Sequence, residues 1–124
     1  ELDIAIIAYS PLAQGLLTGK YHEDPNSIKT KKGYRKMMGS FKGKKLQKTR
    51  PLIDKLKEIG QKYEVSPAQV ALNWTVNYHK DRILAIPGAS NVNQAESNAK
   101  SMQINLTLED MEQINRVSKN ITEI

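Results

Sequence analysis

The first apolar stretch, Leu2 to Tyr9 (LDIAIIAY), is nearly continuous and rich in isoleucine. Such a run, short and without polar alternation, predicts a strand covered on both faces, as in a parallel sheet flanked by helices. Ser10-Pro11 ends it, because proline restricts the residue before it and has no N–H for a ladder. Leu12 to Tyr21 reads as a loop with Gly15 and Gly19 inside it, and Asp24-Pro25-Asn26-Ser27 as a turn. From Pro51 to Glu64, Leu52, Leu56, Ile59 and Tyr63 recur at helical spacing among charges. Ser66-Pro67-Ala68-Gln69 predicts a new helix start, with Ser66 as cap, Pro67 at the first helical position and Gln69 closing a capping box. That helix should reach His79 and bury Val70, Ala71, Trp74 and Tyr78. Ile83 to Ile86 predicts a second strand, closed by Pro87-Gly88. Asn91 to Lys100 predicts a short helix capped by Asn91. Thr107-Leu108-Glu109-Asp110 opens a last helix whose inner face is Leu108, Met111, Ile114 and Val117.

The order is strand, long loop, two helices, strand, short helix, helix. Two strands of the buried type cannot by themselves make a sheet with both faces covered. The elements read as two consecutive βα units of a larger α/β protein. The chain opens with Glu1-Leu2-Asp3, with neither an initiator methionine nor the positive region of a secretory signal. We therefore expect the numbering to begin inside a longer reading frame.

Composition narrows the function classes. Of the 124 residues, 39% are apolar and 26% charged, which fits a folded domain better than a disordered tail or a membrane protein. No apolar run approaches the ~20 residues that span a bilayer. With no cysteine there is no disulfide scaffold and no thiolate nucleophile, and His22 and His79 are isolated, so no metal site is expected. The net charge of +6 is unevenly placed. Lys29 to Arg50 holds ten of the nineteen cations and no carboxylate, leaving nine cations against thirteen carboxylates elsewhere. With Tyr34 and Phe41 interleaved, this segment could bind single-stranded nucleic acid. It could equally be a solvated loop, or close over an anionic ligand held elsewhere on the fold.

Both predicted strands run directly into small, polar, glycine-containing segments, Tyr9 to Gly15 and Ile86 to Asn91. In parallel α/β folds, ligands bind at the carboxyl ends of the strands. The second segment also leads into a helix, whose free N–H groups and dipole favour a phosphate or carboxylate. Gly88 allows close backbone approach there, and Ser90 supplies a hydroxyl.

YSPLAQGLLTGKY, followed some seventy residues later by IPGASNVNQAESN with SPAQVALNW between them, resembles the C-terminal part of the aldo-keto reductase superfamily. The similarity is greatest to the branch holding bacterial general-stress reductases and potassium-channel β subunits, and it covers essentially the whole chain. It implies a (β/α)8 TIM barrel of the α/β class, of which residues 1–124 would supply strands 7 and 8 with their following helices. That piece is incomplete as a closed barrel, and a basic loop occupies residues 22–50. The resemblance implies an NADPH (NADP) site. Tyr9 matches the aromatic residue that stacks on the nicotinamide, while Ser10, Pro11, Leu12, Ala13 and Gln14 match the loop along the ribose and pyrophosphate. Lys20 matches a phosphate partner, Gly88, Ser90 and Gln94 the pocket for the 2′-phosphate, and Asn98 the residue that bonds adenine.

Two positions depart from the family pattern. Ser97 stands where a glutamate usually contacts adenine, and Gly88 where another branch has lysine. The 2′-phosphate would then lean on Ser90, Gln94 and the basic segment. The family's catalytic tetrad of Asp, Tyr, Lys and His belongs to the first half of the barrel, and none of its motifs occurs here. Tyr9 is not the proton donor, and neither histidine matches the catalytic one. The resemblance thus implies the cofactor-binding part of an oxidoreductase that reduces aldehydes or ketones to alcohols. Two alternatives are a non-catalytic NADPH-binding regulatory subunit of the same fold, or a truncated product with a polyanion-binding loop. Expected partners are a small carbonyl substrate and the N-terminal half of the barrel, with self-association open, nucleic acid disfavoured and no membrane, in a cytoplasmic setting.

Overall fold

Two four-residue strands, β1 (Ile6–Tyr9) and β2 (Ile83–Ile86), pair in parallel, with Ile6 opposite Ile83 and Tyr9 opposite Ile86. This computed structural model describes residues 3–29, 37, 41–80 and 82–121. Between the strands lie a 3-10 stretch at Ala13–Thr18, α1 (Lys20–Glu23), a second 3-10 stretch at Pro25–Ile28, α2 (Gly43–Tyr63) and α3 (Pro67–Asn77). After β2 come α4 (Val92–Lys100), a 3-10 turn at Ser101–Gln103 and α5 (Leu108–Lys119). A parallel pair joined through helices is the α/β arrangement expected from the sequence.

The helix starts follow their capping chemistry. Ser66 and Gln69 form a reciprocal capping box at α3, and Thr107 and Asp110 form another at α5. Asn91 accepts from the Gln94 N–H at α4. Each side chain satisfies a backbone donor that the first helical turn leaves free.

Three expectations about the helices and the basic segment need correction. The long helix begins at Gly43, eight residues before Pro51, which sits inside it. An interior proline forfeits one backbone bond. Here Leu46, Thr49, Ile53, Leu56 and Gly60 continue one buried stripe through it, and that burial outweighs the loss. Residues 22–50 are therefore not one loop: His22 belongs to α1, residues 25–28 form a 3-10 turn and residues 43–50 are helical. Most of the remainder, 30–36 and 38–40, lies outside the described residues. Finally, Leu108 faces solvent at the first position of α5, while Asp110 and Ile114 are buried.

The core is helical. Ile53, Leu56 and Ile59 of α2 meet Val70 and Ala71 of α3, Ile114 of α5, and Ile104 and Leu106 from the segment before α5. Gly60 closes the α2–α3 corner, because a Cβ there would lie 2.6 Å from the Val65 carbonyl oxygen. Asp110 staples α5 to α2 by accepting from the Tyr63 hydroxyl and from Lys62 Nζ at 3.1 Å. Burial pushes its carboxyl up, but bonds from Tyr63, Lys62 and Thr107 outweigh this and bring it down to about 2. A second cluster of Leu16, Tyr21, Phe41 and Leu46 packs under the segment after β1. Phe41 is buried edge-on against Tyr21 at 4.9 Å, so it is not available to stack on a base.

The strands are different. Ile6, Ile7, Tyr9, Leu84 and Ile86 are exposed, against the expectation of strands covered on both faces. Ala8 of β1 and Ile83 and Ala85 of β2 are half-buried, and α3 packs against β2. A two-stranded sheet leaves outer edges and most of its faces without neighbours.

Candidate cofactor site

Because β1 and β2 are parallel and in register, Tyr9 and Ile86 end side by side. The segments beginning at Ser10 and Pro87 therefore leave the same edge of the sheet. Tyr9 lies there and is 80% exposed.

The first segment is conformationally unusual. Ser10 (φ 51°), Ala13 (φ 48°) and Gln14 (φ 61°) all occupy the left-handed region without being glycine, followed by Gly15 at φ 94°. Such backbone costs energy at each non-glycine residue and persists only where surrounding bonds fix it. The Ala13 N–H donates to the Ser10 carbonyl at 2.8 Å, and the Gly15 N–H to the Leu12 carbonyl at 3.0 Å. Gln14 Nε2 donates to Ser10 Oγ at 2.7 Å, so these two side chains are held as a pair. Leu12 packs against the helical core, which leaves its backbone rather than its side chain for a ligand, and Pro11 is half-buried.

The far end of this segment is anchored through α1. His22, only 3% exposed, meets Thr49 Oγ1 of α2 at 2.8 Å through Nε2. Thr49 donates its hydroxyl hydrogen to the Lys45 and Leu46 carbonyls, so it accepts from His22 and the imidazole proton sits on Nε2. Arg50 Nη2 donates to the His22 carbonyl at 2.6 Å, and Lys57 pairs with Glu23 at 2.6 Å. Burial, then the neighbouring Arg50 guanidinium, holds the imidazole below its usual range. His22 thus anchors this end of the segment rather than lying free in a loop. Lys20 is exposed at the start of α1, and among the described residues no hydrogen bond or ion pair joins its ammonium to the other candidate residues.

The second segment opens at Gly88, where a Cβ would meet nothing within 4 Å. Internal packing does not require a glycine there. The open space fits an outside group lying against the backbone. Ser90 donates from both N and Oγ to Gln94 Oε1, at 2.8 and 2.9 Å. Asn98 Nδ2 reaches the Gly88 carbonyl at 3.4 Å. Gly88, Ser90 and Gln94 are thus gathered at the start of α4, with Asn98 further along the helix reaching back to Gly88, while Ser10 and Gln14 are gathered at the end of β1. A polyanionic dinucleotide fits this donor set, with hydroxyls, amides and a helix N-terminus on one sheet edge.

Sequence reasoning read Gln69 only as part of the α3 capping box and did not single out Asn73 or Ser101. Gln69 Nε2 bonds the Ser97 carbonyl at 3.1 Å, and Asn73 Nδ2 the Ser101 and Ile104 carbonyls at 2.9 and 2.7 Å. The available signal was an asparagine inside the apolar run VALNW, three residues after buried Val70. Among the described residues no cluster of three metal-ligating side chains occurs, and no helix is long and apolar enough to cross a membrane.

Comparison with known proteins identifies the family. Residues 1–119 match the sequence model of the Aldo/keto reductase family. The chain is 34% identical over 119 residues to probable pyridoxal reductase 2 of Schizosaccharomyces pombe, covering 94% of this chain and 36% of that protein. It is 32% identical over 119 residues to aldo-keto reductase str7 of Strobilurus tenacellus, covering 96% and 34%. An uncharacterized oxidoreductase of Mycobacterium tuberculosis is 40% identical over 102 residues, covering 82% and 30%. The chain thus spans about a third of the length of these relatives. The match over nearly every residue means that this chain belongs to the aldo/keto reductase family.

Proposed function

We propose that this chain is the C-terminal portion of a (β/α)8 barrel, strands 7 and 8 with their helices, and carries the NADPH site of a carbonyl reductase. The observation that carries this reading is the left-handed run at Ser10, Ala13 and Gln14, clamped by the Gln14–Ser10 bond at the sheet edge shared with Gly88. Strain of this kind concentrates where backbone is shaped for a ligand.

In this reading Tyr9 presents its ring to the nicotinamide and selects which face is offered. Ser10, Pro11, Leu12, Ala13 and Gln14 line the ribose and pyrophosphate, and Lys20 adds a cation for phosphate. Gly88, Ser90 and Gln94 receive the 2′-phosphate, and Asn98 the adenine. When bound, NADPH supplies hydride for reduction of a small aldehyde or ketone to the alcohol. The acid that completes the reduction is not among these residues and belongs to the first half of the barrel. Cytoplasmic placement is part of the same proposal.

The test is a titration with NADPH of the protein expressed from its entire reading frame, followed by aromatic fluorescence quenching. Tyr9→Ala is expected to weaken binding about tenfold, since a stacked aromatic contributes roughly 1 kcal/mol or more. Unchanged affinity and unchanged turnover would remove Tyr9 from the site.

Ser90 and Gln94 are neutral, so discrimination for the 2′-phosphate needs a cation, and residues 29–50 are the dense source. Replacing Lys29, Lys31, Lys32, Arg35 and Lys36 with Gln is expected to lower NADPH affinity more than NADH affinity and to flatten its salt dependence. All of these except Lys29 lie outside the described residues. Equal losses for both cofactors would assign the segment to the pyrophosphate instead.

A further inference from the structure

Helix α4 carries Gln94 and Asn98, yet none of its residues is buried. Apolar packing therefore does not set its position. Its links to the core are polar and come from α3. Gln69 bonds the Ser97 carbonyl, and Asn73 bonds the Ser101 carbonyl at the end of the same helix. The donors are four residues apart on α3 and the acceptors four apart, Ser97 in α4 and Ser101 in the 3-10 turn that follows it, so one helical turn matches another.

Asn73 is wholly buried. Two carbonyls, of Ser101 and Ile104, face its amide, and only the NH2 end can satisfy both, which fixes its orientation. Its Oδ1 is left without a partner. A buried acceptor left unpaired destabilises the fold, so what the amide contributes here comes from its two N–H groups. Ser101, itself buried, donates its hydroxyl to the Asn98 carbonyl at 2.5 Å. A continuous series of bonds thus runs from Asn73 through Ser101 to Asn98, and from Asn98 to the Gly88 carbonyl.

We propose that Asn73 is a positioning residue for the adenosine end of the cofactor site, acting on Asn98 through Ser101. This rests on the reading of Asn98 as the adenine contact. Asn73 touches no ligand; it sets the height of α4 along α3, so that Asn98 meets the base without first being ordered by it.

The test uses the protein expressed from its entire reading frame and calorimetric titration with two probes, 2′,5′-ADP and reduced nicotinamide mononucleotide. Asn73→Leu keeps the number and branching of the side-chain heavy atoms and removes both donors. Ser101→Ala keeps the Asn73 bonds and removes only the link to Asn98, and it carries the test if Asn73→Leu fails to fold. Affinity for 2′,5′-ADP is expected to fall about tenfold in Asn73→Leu and about threefold in Ser101→Ala, with the mononucleotide bound as before. Equal losses for both probes would mean general loosening and overturn the proposal. So would unchanged 2′,5′-ADP affinity in both variants while Asn98→Ala loses it. If Asn98→Ala also binds normally, the adenine assignment falls, and the positioning role falls with it.

Discussion

Ile53 and Ile7 are the same residue in opposite circumstances: Ile53 of α2 is fully buried, while Ile7 of β1 is 63% exposed. The helices satisfy their backbone groups internally and need neighbours only for one apolar stripe, which α2, α3 and α5 provide for each other. A strand needs a partner on each edge as well as cover on each face. Among the described residues the helical half closes its own core, whereas the sheet has one pairing and is largely exposed apart from the contact of α3 with β2. Stability and function are therefore divided: the helices hold the molecule, and the strand ends carry the candidate site.

The largest expected effect tests that division directly. In the 124-residue chain alone, Ile53→Ala is expected to cost about 3 kcal/mol in chemical denaturation, from lost burial and the cavity it leaves. Ile7→Ala is expected to cost close to nothing there. The exposed strands should also make the isolated chain associate with itself in sedimentation. A compact monomer in which both substitutions cost the same would break the comparison, since it would mean that the strands are already covered.

A smaller effect sharpens the helical side. Asp110 has a folded pKa of about 2 against an ordinary 3.8. Its stabilisation is thus present above the unfolded value and lost as pH falls through the folded one. At about 1.4 kcal/mol per unit this corresponds to about 2 kcal/mol near neutrality. Asp110→Asn should lose a similar amount and flatten the acid limb of stability against pH. An unaltered acid limb would show that the Tyr63–Asp110–Lys62 staple does not bind α5 to α2.

The smallest effect concerns the anchor between the two regions. His22 is held below its ordinary 6.5, so the unfolded chain takes up the proton first as pH falls. Its contribution is fully present above 6.5 and declines below it. Protection of the 10–19 backbone in hydrogen exchange should fall from neutral pH toward about pH 5, and His22→Asn should remove that dependence. Loss of protection confined to α3 and α5 instead would show that the His22–Thr49 bond does not anchor the segment.

Much of this was legible in the residues. Caps at Ser66, Asn91 and Thr107 act within one turn of chain, so three helix starts could be read directly. The ends of both strands could be read from Pro11 and Pro87, and the segments opening after them hold the candidate site residues. The resemblance to a family, carried by YSPLAQGLLTGKY and IPGASNVNQAESN, supplied roles that spacing alone left open.

Other features depended on partners distant in sequence. Thr49 is an ordinary helix residue until His22, 27 positions earlier, reaches it, and that contact together with Leu46 carries α2 back through Pro51 to Gly43. Asn73 drew no attention in the sequence, and its role shows only where Ser101 and Ile104 meet both of its donors. Leu108 fitted the apolar period of α5, but the capping box turns the first position outward and Asp110 inward to Tyr63 and Lys62. The sequence by itself determined where helices and strands begin and which segments leave the sheet edge, because capping, proline geometry and apolar period act over a few residues. Only the tertiary structure decided which polar groups are buried and what they hold, because a buried donor is tolerated only where another part of the chain brings it an acceptor.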